Sequence, residues 1–492
     1  MISRGLRALV VDLNNFARYP TLAVGYLVAA LREAGHHVEL FSPLAHGVPA
    51  VERERMETRW DQLQRRIFFS SHPGVAWPRD RAVSLRSWWL RRPHPKMIRE
   101  AERALEGTYD VVLLSSFVDH YELCKEIAAR AADKGMPVLL GGPIFNVESV
   151  VKEWLGLRGI TAIYGGEVDL ALADVVSDLV AGADLTRHPG IHLPDGRRGP
   201  AAPPLRALDA LPTPDFSDFP WHAYPRPVIP MMTGRGCGWA ACRFCGDVIT
   251  SNGRTFRSRP VDAVLTEMGE LSRRHRSTDF IFLDIKLNSD LGMWRGLIDG
   301  VQAHVPGARW IGSVHVGSKQ PNGLSASDLE EAHDAGLTRV TFGLESGSQA
   351  VLDAMDKGTT VEGNAAFLRE ANAAGISVRS TVMQGYPGED AAELWKTVRF
   401  LEENEDYLDR VRLTQFKPLP ATRFHDEYER DPSQFSSLEK FTWDFRFSRA
   451  SYEHPLTRRP DYRRAKLALL RLVHSINKKP LRSGAEPFDG LM

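Results

Sequence analysis

The sequence predicts an α/β protein: a doubly wound parallel sheet, then a partial (β/α)6 barrel and a small, mostly helical C-terminal region. Short apolar runs alternate with amphipathic helical patterns in two stretches, and a segment rich in Pro, Arg and Asp separates them. The predicted units are a sheet domain at 1–190, a linker at 191–225, a barrel at 226–425 and a C-terminal region at 426–492.

The first unit begins with a strand, then a helix over Leu22–Ala34 that Gly35 ends. Its predicted strands are Arg7–Asp12, His37–Phe41, Asp110–Leu114, Pro137–Leu140 and Ile160–Tyr164. Parallel sheets bind ligands at the carboxyl ends of their strands, and glycines let a ligand approach the backbone closely. We therefore expect a large planar or phosphate-bearing ligand here. The candidate contacts at these ends are Asn14, Ser116, Gly141, Gly142, Gly166 and Glu167.

Strand and helix patterns resume after the linker and predict a barrel with its site at the carboxyl ends of the strands. The predicted strands are Val228–Met232, Asp279–Leu283, Trp310–Val314, Arg339–Phe342, Val378–Met383 and Val411–Phe416. In the C-terminal region the amphipathic stretch Tyr462–His474 predicts a helix packed on the barrel. An insertion at 45–105 contains Trp60, Trp77, Trp88 and Trp89, which either shape a substrate pocket or belong to the scaffold.

Composition restricts the class of protein. The 492 residues contain 62 Lys and Arg and 62 Asp and Glu, so no net charge attracts the chain to nucleic acid or to an anionic membrane. No apolar stretch is long enough to span a bilayer. Three of the four cysteines are clustered, which indicates a metal site in a reducing compartment rather than disulfides, so we expect a cytoplasmic protein. Cys124, alone in a helical pattern, is expected to be a buried small residue.

The clustered cysteines are Cys237, Cys242 and Cys245, with the spacing C-x4-C-x2-C directly after the first barrel strand. Three thiolates leave one position open, whether at a zinc ion or at one iron of an iron–sulfur cluster. A zinc site would need a fourth ligand such as Asp247 or His275. That alternative explains nothing downstream of the cysteines.

The barrel region resembles the radical S-adenosylmethionine (SAM) enzymes in five segments. These are the cysteine loop with Phe244, Phe282–Asp284, Phe342–Ser348 with Leu352–Gly358, Gln384–Glu389 and Phe416–Thr422. The resemblance implies a 4Fe–4S cluster on the three cysteines, with SAM chelating the open iron. It implies that Phe244 and Tyr386 lie beside adenine, that Asp284 holds the ammonium group, and that Glu345, Ser346 and Arg379 hold the ribose and carboxylate.

Two features depart from the family pattern. The common spacing is C-x3-C-x2-C, and this chain has one extra residue in a loop that contains Trp239. No ligand is lost by that insertion. The end of the second strand reads Asp284-Ile-Lys286, so a second acidic contact is missing there.

The N-terminal domain resembles the Rossmann-like cobalamin-binding domain of the cobalamin-dependent radical SAM class. The matching elements are Pro20–His36, Leu140–Pro143, Tyr164–Glu167 and Leu208–Pro214. The chain lacks the Asp-x-His-x-x-Gly loop that supplies a histidine to cobalt in many cobalamin proteins. His120 follows Asp119 without the glycine and is expected to begin a helix, so the resemblance implies a cobalamin held without a protein imidazole.

Together the two resemblances imply a methyltransferase that moves a methyl group from methylcobalamin to an unactivated carbon, using a 5′-deoxyadenosyl radical from SAM. The implied substrate is a small-molecule or carrier-bound intermediate of secondary metabolism, antibiotic biosynthesis included. The implied partner is an external electron donor of the flavodoxin or ferredoxin type.

Three alternatives stay open. The same cofactors could support a rearrangement, cyclisation or oxidation without methyl transfer. A nucleic-acid methylthiotransferase would need cysteines for a second cluster and a basic module, whereas only Cys124 is left. A non-catalytic corrinoid carrier would bind cobalamin without cleaving SAM.

Overall fold

The computed structural model describes residues 5–14, 18–48, 56–72, 74–75, 77–79, 81–82, 94–250, 252–253, 255–318, 322–482 and 484–491. Of the four tryptophans in the 45–105 insertion, Trp88 and Trp89 lie outside these residues. Trp60 and Trp77 are 63% and 65% exposed, so neither belongs to a packed core.

The N-terminal domain contains a six-stranded sheet in the order β2-β1-β3-β4-β5-β6, in which the edge strand β6 is antiparallel. The strands are β1 Arg7–Asp12, β2 His37–Phe41, β3 Val111–Ser115, β4 Val138–Gly141, β5 Ala162–Tyr164 and β6 Ile191–His192. The helices are α1 Leu22–Glu33, α2 Arg59–Phe68, α3 Pro95–Ala104, α4 Tyr121–Asp133, α5 Glu148–Leu155 and α6 Leu172–Ala181. Alternate residues of β1 enter different apolar clusters, so both faces of the sheet are covered by helices, as predicted for a doubly wound sheet.

The second domain is a curved sheet of six parallel strands in the order β14-β13-β12-β11-β10-β7. Its strands are β7 Val228–Met231, β10 Asp279–Phe282, β11 Arg309–Val314, β12 Leu337–Glu345, β13 Ser377–Gln384 and β14 Arg410–Gln415. A small antiparallel ribbon, β8 Gly234–Arg235 with β9 Arg257–Ser258, follows β7. The helices are α7 Asp247–Thr250, α8 Val261–His275, α9 Leu291–His304, α10 Ala326–Asp334, α11 Gln349–Ala354, α12 Val361–Ala373 and α13 Ala391–Glu403. The predicted partial barrel is confirmed.

The segment before β7 packs between the two domains. Phe216 and Phe219 are buried in the apolar cluster that also contains α1 and the barrel helices. Gly25 of α1 makes room for the Phe216 ring, because a Cβ at Gly25 would lie 2.4 Å from it. This segment therefore joins the two domains through a shared core.

The C-terminal region is less helical than predicted. After α14 Arg423–Arg430 comes an antiparallel hairpin of β15 Glu439–Asp444 and β16 Arg449–Glu453, which the sequence analysis missed. The predicted amphipathic helix is confirmed as α15 Pro460–Asn477, packed on α13 and α2. The last described segment, 484–491, places the fully buried Phe488 against Val228, Ile281 and Ile311 inside the barrel. Among the helices of the described residues, none is both long and apolar enough to cross a bilayer.

Candidate functional site

The cysteine loop starts at the carboxyl end of β7, where Asp284 fixes its first residues. The Asp284 carboxylate accepts hydrogen bonds from the Thr233 amide, the Thr233 hydroxyl at 2.7 Å and the Gly234 amide at 2.8 Å. Burial raises the pKa of this carboxyl to about 6. Because its oxygens already accept these bonds, the structure shows Asp284 holding the loop; the predicted contact with the SAM ammonium group stays a prediction.

Trp239, in the cysteine loop that has one extra residue, packs against the neighbouring segments of the barrel. The Trp239 indole N–H donates to the Asp356 carbonyl at 2.8 Å, and the ring stacks on His315 with centroids 5.9 Å apart. A Cβ at Gly358 would lie 2.3 Å from the indole, and Gly358 has a φ of +70° that favours glycine. The longer loop is therefore anchored on the segment that follows α11.

The three cysteine side chains are half-buried beside two lysines. Burial raises the pKa of the Cys242 thiol and raises that of Cys245 to about 12. A metal that binds these sulfurs would stabilise their thiolate form. Burial opposes the charge of Lys357, but Glu345 and the nearby thiols raise its pKa above the ordinary value. Burial and the Lys357 charge lower the pKa of Lys286.

Glu345 and Lys357 form a buried pair at the carboxyl end of β12. The Glu345 Oε1 atom lies 3.3 Å from the Lys357 Nζ and accepts a bond from the Thr381 hydroxyl at 3.1 Å. The register shifts between Gly343 and Glu345, where Glu345 adopts a φ of +59°. The bulge and the strained backbone aim this carboxylate at the mouth of the barrel.

The structure gives Ser346 a role inside the protein. Ser346 is fully buried, its hydroxyl lies 3.1 Å from the Thr397 hydroxyl, and it accepts a bond from the Ser348 amide. These bonds fix the turn after β12. The predicted contact of Ser346 with SAM stays a prediction.

The two predicted adenine neighbours share one aromatic cluster. Phe244 and Tyr386 both pack in the apolar group formed with Phe416 and Phe424. The Tyr386 ring lies 5.0 Å from Phe416, and its hydroxyl donates to the Ala354 carbonyl at 3.2 Å. Lys357 lies 5.7 Å from the Phe244 ring centroid. The structure thus brings Phe244, Tyr386, Glu345 and Lys357 together beside the cysteine loop.

Arg379 is buried on β13, two residues before Thr381. It pairs in register with Thr341 and Arg410 near the start of the strands, five residues before Gln384 at the end of β13. Thr381 donates to Glu345, so Arg379 lies about 7 Å along the strand from the level of that carboxylate. The predicted SAM contact of Arg379 stays a prediction. Lys357, which the sequence analysis did not select, is a cation that the structure places beside Glu345.

A cavity of about 350 Å³ lies between the carboxyl edge of the N-terminal sheet and the cysteine loop. The predicted contacts Gly141, Gly142, Gly166 and Glu167 line it, and Gly234–Gly236 form the opposite wall. Its deep part is apolar; that part contains Val10, Leu22, Leu113, Leu139 and Tyr164. The cavity thus opens from the sheet interior onto the residues that lead into Cys237.

Asn14 and Ser116 are not among the described residues that line this cavity, and their predicted contacts with cobalamin stay predictions. Asn14 is buried and donates to the Thr21 hydroxyl at 3.0 Å, so it supports a wall residue from behind. Ser116 is fully buried and accepts a bond from the Cys124 thiol. Cys124 is buried, as expected.

Glu167 lines the cavity but is also bonded across the domain boundary. It forms ion pairs with Arg235 at 3.0 Å and with Arg257 at 2.6 Å. Asp169 accepts two further bonds from Arg235, both at 2.9 Å. Sequence reasoning missed Arg235, Arg257 and Asp169, because nothing in the spacing shows that two arginines of the ribbon meet two carboxylates of the other domain.

No histidine or cysteine is among the described residues that line the cavity. His120 lies outside the lining; its Nδ1 accepts a bond from the Phe117 amide, and burial lowers its pKa to about 4. The predicted absence of an imidazole ligand to cobalt stays a prediction.

The zinc alternative loses one of its ligands. His275 ends the helix before β10, and its ring stacks on Trp221 with centroids 4.6 Å apart, so it lies at the entry end of the barrel. Within the described residues no group of three or more His, Cys, Asp and Glu side chains could hold a single metal ion. A 4Fe–4S cluster binds each thiolate to a different iron, so it does not require three sulfurs around one point.

Comparison with known proteins agrees with this geometry. The Radical SAM superfamily profile matches residues 231–401. The uncharacterized methyltransferase PH0819 of Pyrococcus horikoshii is 25% identical over 319 residues, which cover 63% of this chain and 66% of that protein.

Two solved structures share the fold. The cobalamin-dependent S-adenosylmethionine radical enzyme OxsB with bound aqua-cobalamin superposes with a TM-score of 0.67 at 17% identity, over 91% of this chain and 64% of OxsB. The radical SAM methyltransferase TsrM of Kitasatospora setae gives a TM-score of 0.60 at 17% identity, over 86% of this chain and 76% of TsrM. The chain thus spans about two thirds of the length of PH0819 and of OxsB.

A radical SAM domain uses a 4Fe–4S cluster and SAM, and the three cysteines with the neighbouring SAM candidates lie within the matched residues. Residues 231–401 of the chain therefore match the Radical SAM superfamily, and the two-domain fold is the one found in the cobalamin-dependent radical SAM enzyme OxsB and in TsrM.

Proposed function

We propose that this chain is a cobalamin-dependent radical SAM methyltransferase that acts on an unactivated carbon of a small-molecule or carrier-bound substrate. The observation that carries the proposal is the cavity between the N-terminal sheet and Gly234–Gly236, whose last residue directly precedes Cys237. A group bound there would face the cluster side of the barrel. The domain pair of OxsB and TsrM, both named as SAM radical proteins, supports this assignment.

The residues at the barrel mouth fit a cluster with SAM. Cys237, Cys242 and Cys245 supply thiolates for three irons and leave the fourth iron open to a chelating ligand. Phe244 and Tyr386 offer an apolar aromatic pocket of the kind that an adenine ring stacks in. Lys357 offers a buried cation for a carboxylate, and Glu345 offers a carboxylate for hydroxyl groups or an ammonium group.

The lining of the cavity suits the part of a corrinoid that would enter it. Gly141, Gly142 and Gly166 allow a flat macrocycle to approach the backbone; a Cβ at Gly142 would lie 2.1 Å from the Ser116 carbonyl, so no side chain is possible there. The apolar depth between the sheet and α1 suits an aromatic base carried by the cofactor. With no histidine among the described residues of the lining, we expect a cobalamin here to be bound without a protein imidazole.

When bound, the cluster and SAM would supply radical chemistry at a substrate carbon, and cobalamin would supply the methyl group. The protein positions them: Asp284 and Trp239 fix the loop of cysteines, and the aromatic cluster around Tyr386 excludes water from the adenine side. An external donor of the flavodoxin or ferredoxin type would supply the electron. The substrate class is a secondary-metabolite intermediate.

A second candidate reaction uses the same groups without methyl transfer, as a rearrangement, cyclisation or oxidation. OxsB is named as a radical enzyme without mention of a methyl transfer, and it shares the fold over 91% of this chain. The two candidates differ in the products formed from SAM. Methyl transfer yields S-adenosylhomocysteine as well as 5′-deoxyadenosine, whereas the alternative yields no S-adenosylhomocysteine.

The test is anaerobic reconstitution with iron, sulfide and hydroxocobalamin, followed by reduction with SAM and candidate substrates. We expect 5′-deoxyadenosine, S-adenosylhomocysteine and a methylated product in equal amounts. The Cys242→Ala variant is the control and should form no 5′-deoxyadenosine. Deoxyadenosine that requires substrate but accompanies an unmethylated product would contradict methyl transfer and support the second reaction.

A further inference from the structure

The ribbon that leads into the cysteine loop holds two arginines side by side. Arg235 of β8 lies opposite Arg257 of β9 in the pairing register, and both reach across to the loop that follows β5 in the N-terminal domain. Arg235 makes a two-point contact with Asp169, with both nitrogen–oxygen distances at 2.9 Å. Glu167 accepts from both arginines and also from the Leu205 amide at 2.6 Å.

This four-residue group, Arg235, Arg257, Glu167 and Asp169, is shielded from water and balanced in charge. The exposed fractions of the side chains are 14%, 7%, 8% and 10% in that order. Water screens such pairs little, and the loss of one partner leaves a charge uncompensated in the interior. A planar guanidinium held at two points also fixes orientation, which a single contact does not.

The same group touches both cofactor regions. Glu167, Asp169 and Arg235 line the cavity, and Arg235 precedes Cys237 by two residues. The intervening Gly236 has a φ of +94°, and a Cβ there would lie 1.8 Å from the Thr255 carbonyl. The backbone between the arginine and the cysteine is therefore held tightly against β9.

We propose that Arg235 is a positioning residue: its two-point pair with Asp169, together with Glu167, sets the distance and orientation between a corrinoid in the cavity and the cluster on Cys237. This inference rests on the proposed function. It assigns to Arg235 a role in placing the two centres relative to each other, separate from the binding of either one.

The experiment measures the separation of two paramagnetic centres. The reconstituted protein is loaded with cob(II)alamin, its cluster is reduced, and pulsed electron paramagnetic resonance gives the distribution of distances between cobalt and cluster. Wild type should give one narrow distribution. Arg235→Gln should lose it and give a broad or shifted distribution, while iron content and cobalamin uptake persist. Arg235→Lys keeps the positive charge but lacks the planar guanidinium that contacts Asp169 at two points. It should restore the narrow distribution only in part.

Arg32→Gln is the matched control. It removes ion pairs of α1 with Asp215 and Asp218 of the linker, away from the cavity, and should leave the distance unchanged. If Arg235→Gln fails to fold, the double variant Arg235→Gln with Asp169→Asn removes opposite charges together and should show the same broadening.

A wild-type distance distribution in a folded Arg235→Gln or double variant would overturn the inference alone. Wild-type protein that takes up no cobalamin would instead contradict the proposed function, so the two failures are distinguishable.

Discussion

Several side chains at this site act mainly by fixing the backbone conformation of the loops around it. Asp284 ties the cysteine loop to the end of β10, and Trp239 ties it to the segment that follows α11. Glu389 accepts from the Gly385 amide and so closes the turn that contains Tyr386. Each is a side chain inside a motif that sequence similarity associates with cofactor contact. The structure shows that part of this motif serves to shape the loops that make the contacts.

Gly358 tests the anchor of the cysteine loop. Gly358→Ala would place a methyl group 2.3 Å from the Trp239 indole and would strain a residue with a φ of +70°. Gly307→Ala is the matched control, since Gly307 has a φ of +76° and open space around its Cβ position. Both should lose about 1–2 kcal/mol of stability from backbone strain. Only Gly358→Ala should also lower the iron bound per protein after reconstitution; equal iron content in both would contradict the anchor.

Glu389 gives the protein a defined pH dependence. Glu389 is fully buried and accepts a bond from the Tyr462 hydroxyl at 2.8 Å, and burial raises the pKa of its carboxyl from 4.5 to about 7. Because the pKa is higher in the folded state, the stability from this group is full below about pH 4.5 and is lost as the pH rises through about 7. The loss is on the order of 3 kcal/mol.

Glu389→Gln does not titrate, so its melting temperature relative to wild type should rise across that pH range. Thermal unfolding of both proteins in a series of buffers measures this difference. Glu402→Gln, at an exposed position of α13, should follow the wild-type pH dependence. A constant difference between Glu389→Gln and wild type would show that the Glu389 carboxyl does not titrate in this range.

Secondary-structure elements were predictable where the apolar residues of a segment follow one clear periodicity. The apolar runs of the parallel strands and the 3.6-residue period of α15 led to elements that the structure confirms. The hairpin β15–β16 was missed although Phe441, Trp443 and Phe445 alternate with polar residues, a period of two that indicates a strand.

The side chain of Phe488 packs the C-terminal segment 484–491 into the barrel. Phe488 is fully buried against Val228, Ile281 and Ile311, so Phe488→Ala would leave a cavity inside the barrel. We expect a loss of about 3–5 kcal/mol, measured as a lower thermal unfolding midpoint. Leu467→Ala on α15, at a residue 38% exposed, should change the midpoint little. Similar midpoints for the two variants would show that the segment does not support the barrel.

At the scale of the whole molecule, two domains share a core and a charged boundary. The linker ring of Phe216 packs on Gly25 of α1, and the Arg235–Asp169 pair crosses from the ribbon to the sheet domain. The periodic patterns of the sequence predicted both domains. The motifs predicted cobalamin in the N-terminal domain and the cluster with SAM in the barrel. The contacts between the domains could not be predicted, because they join residues far apart in the chain through side chains that no local pattern marks.

Phe216 tests the coupling of the domains. Its ring is fully buried, so Phe216→Ala should cost about 3–5 kcal/mol. Because the ring belongs to the core shared by both domains, calorimetry should show two separated unfolding transitions in the variant and one in wild type. Leu170→Ala, at a residue 44% exposed, should keep the single transition. A single transition in Phe216→Ala would show that the linker ring does not couple the domains.

The central claim is that the cavity between the sheet domain and the cysteine loop holds cobalamin. Gly141 lines this cavity, and a Cβ there would meet open space, so Gly141→Leu should fill the cavity without disturbing the fold. The measurement is the absorption spectrum of cobalamin retained by reconstituted protein after gel filtration. Wild type and the surface control Gly156→Leu should retain cobalamin, and Gly141→Leu should lose it while it keeps its iron content. Retention by Gly141→Leu at the wild-type level, or no retention by wild type, would contradict the account.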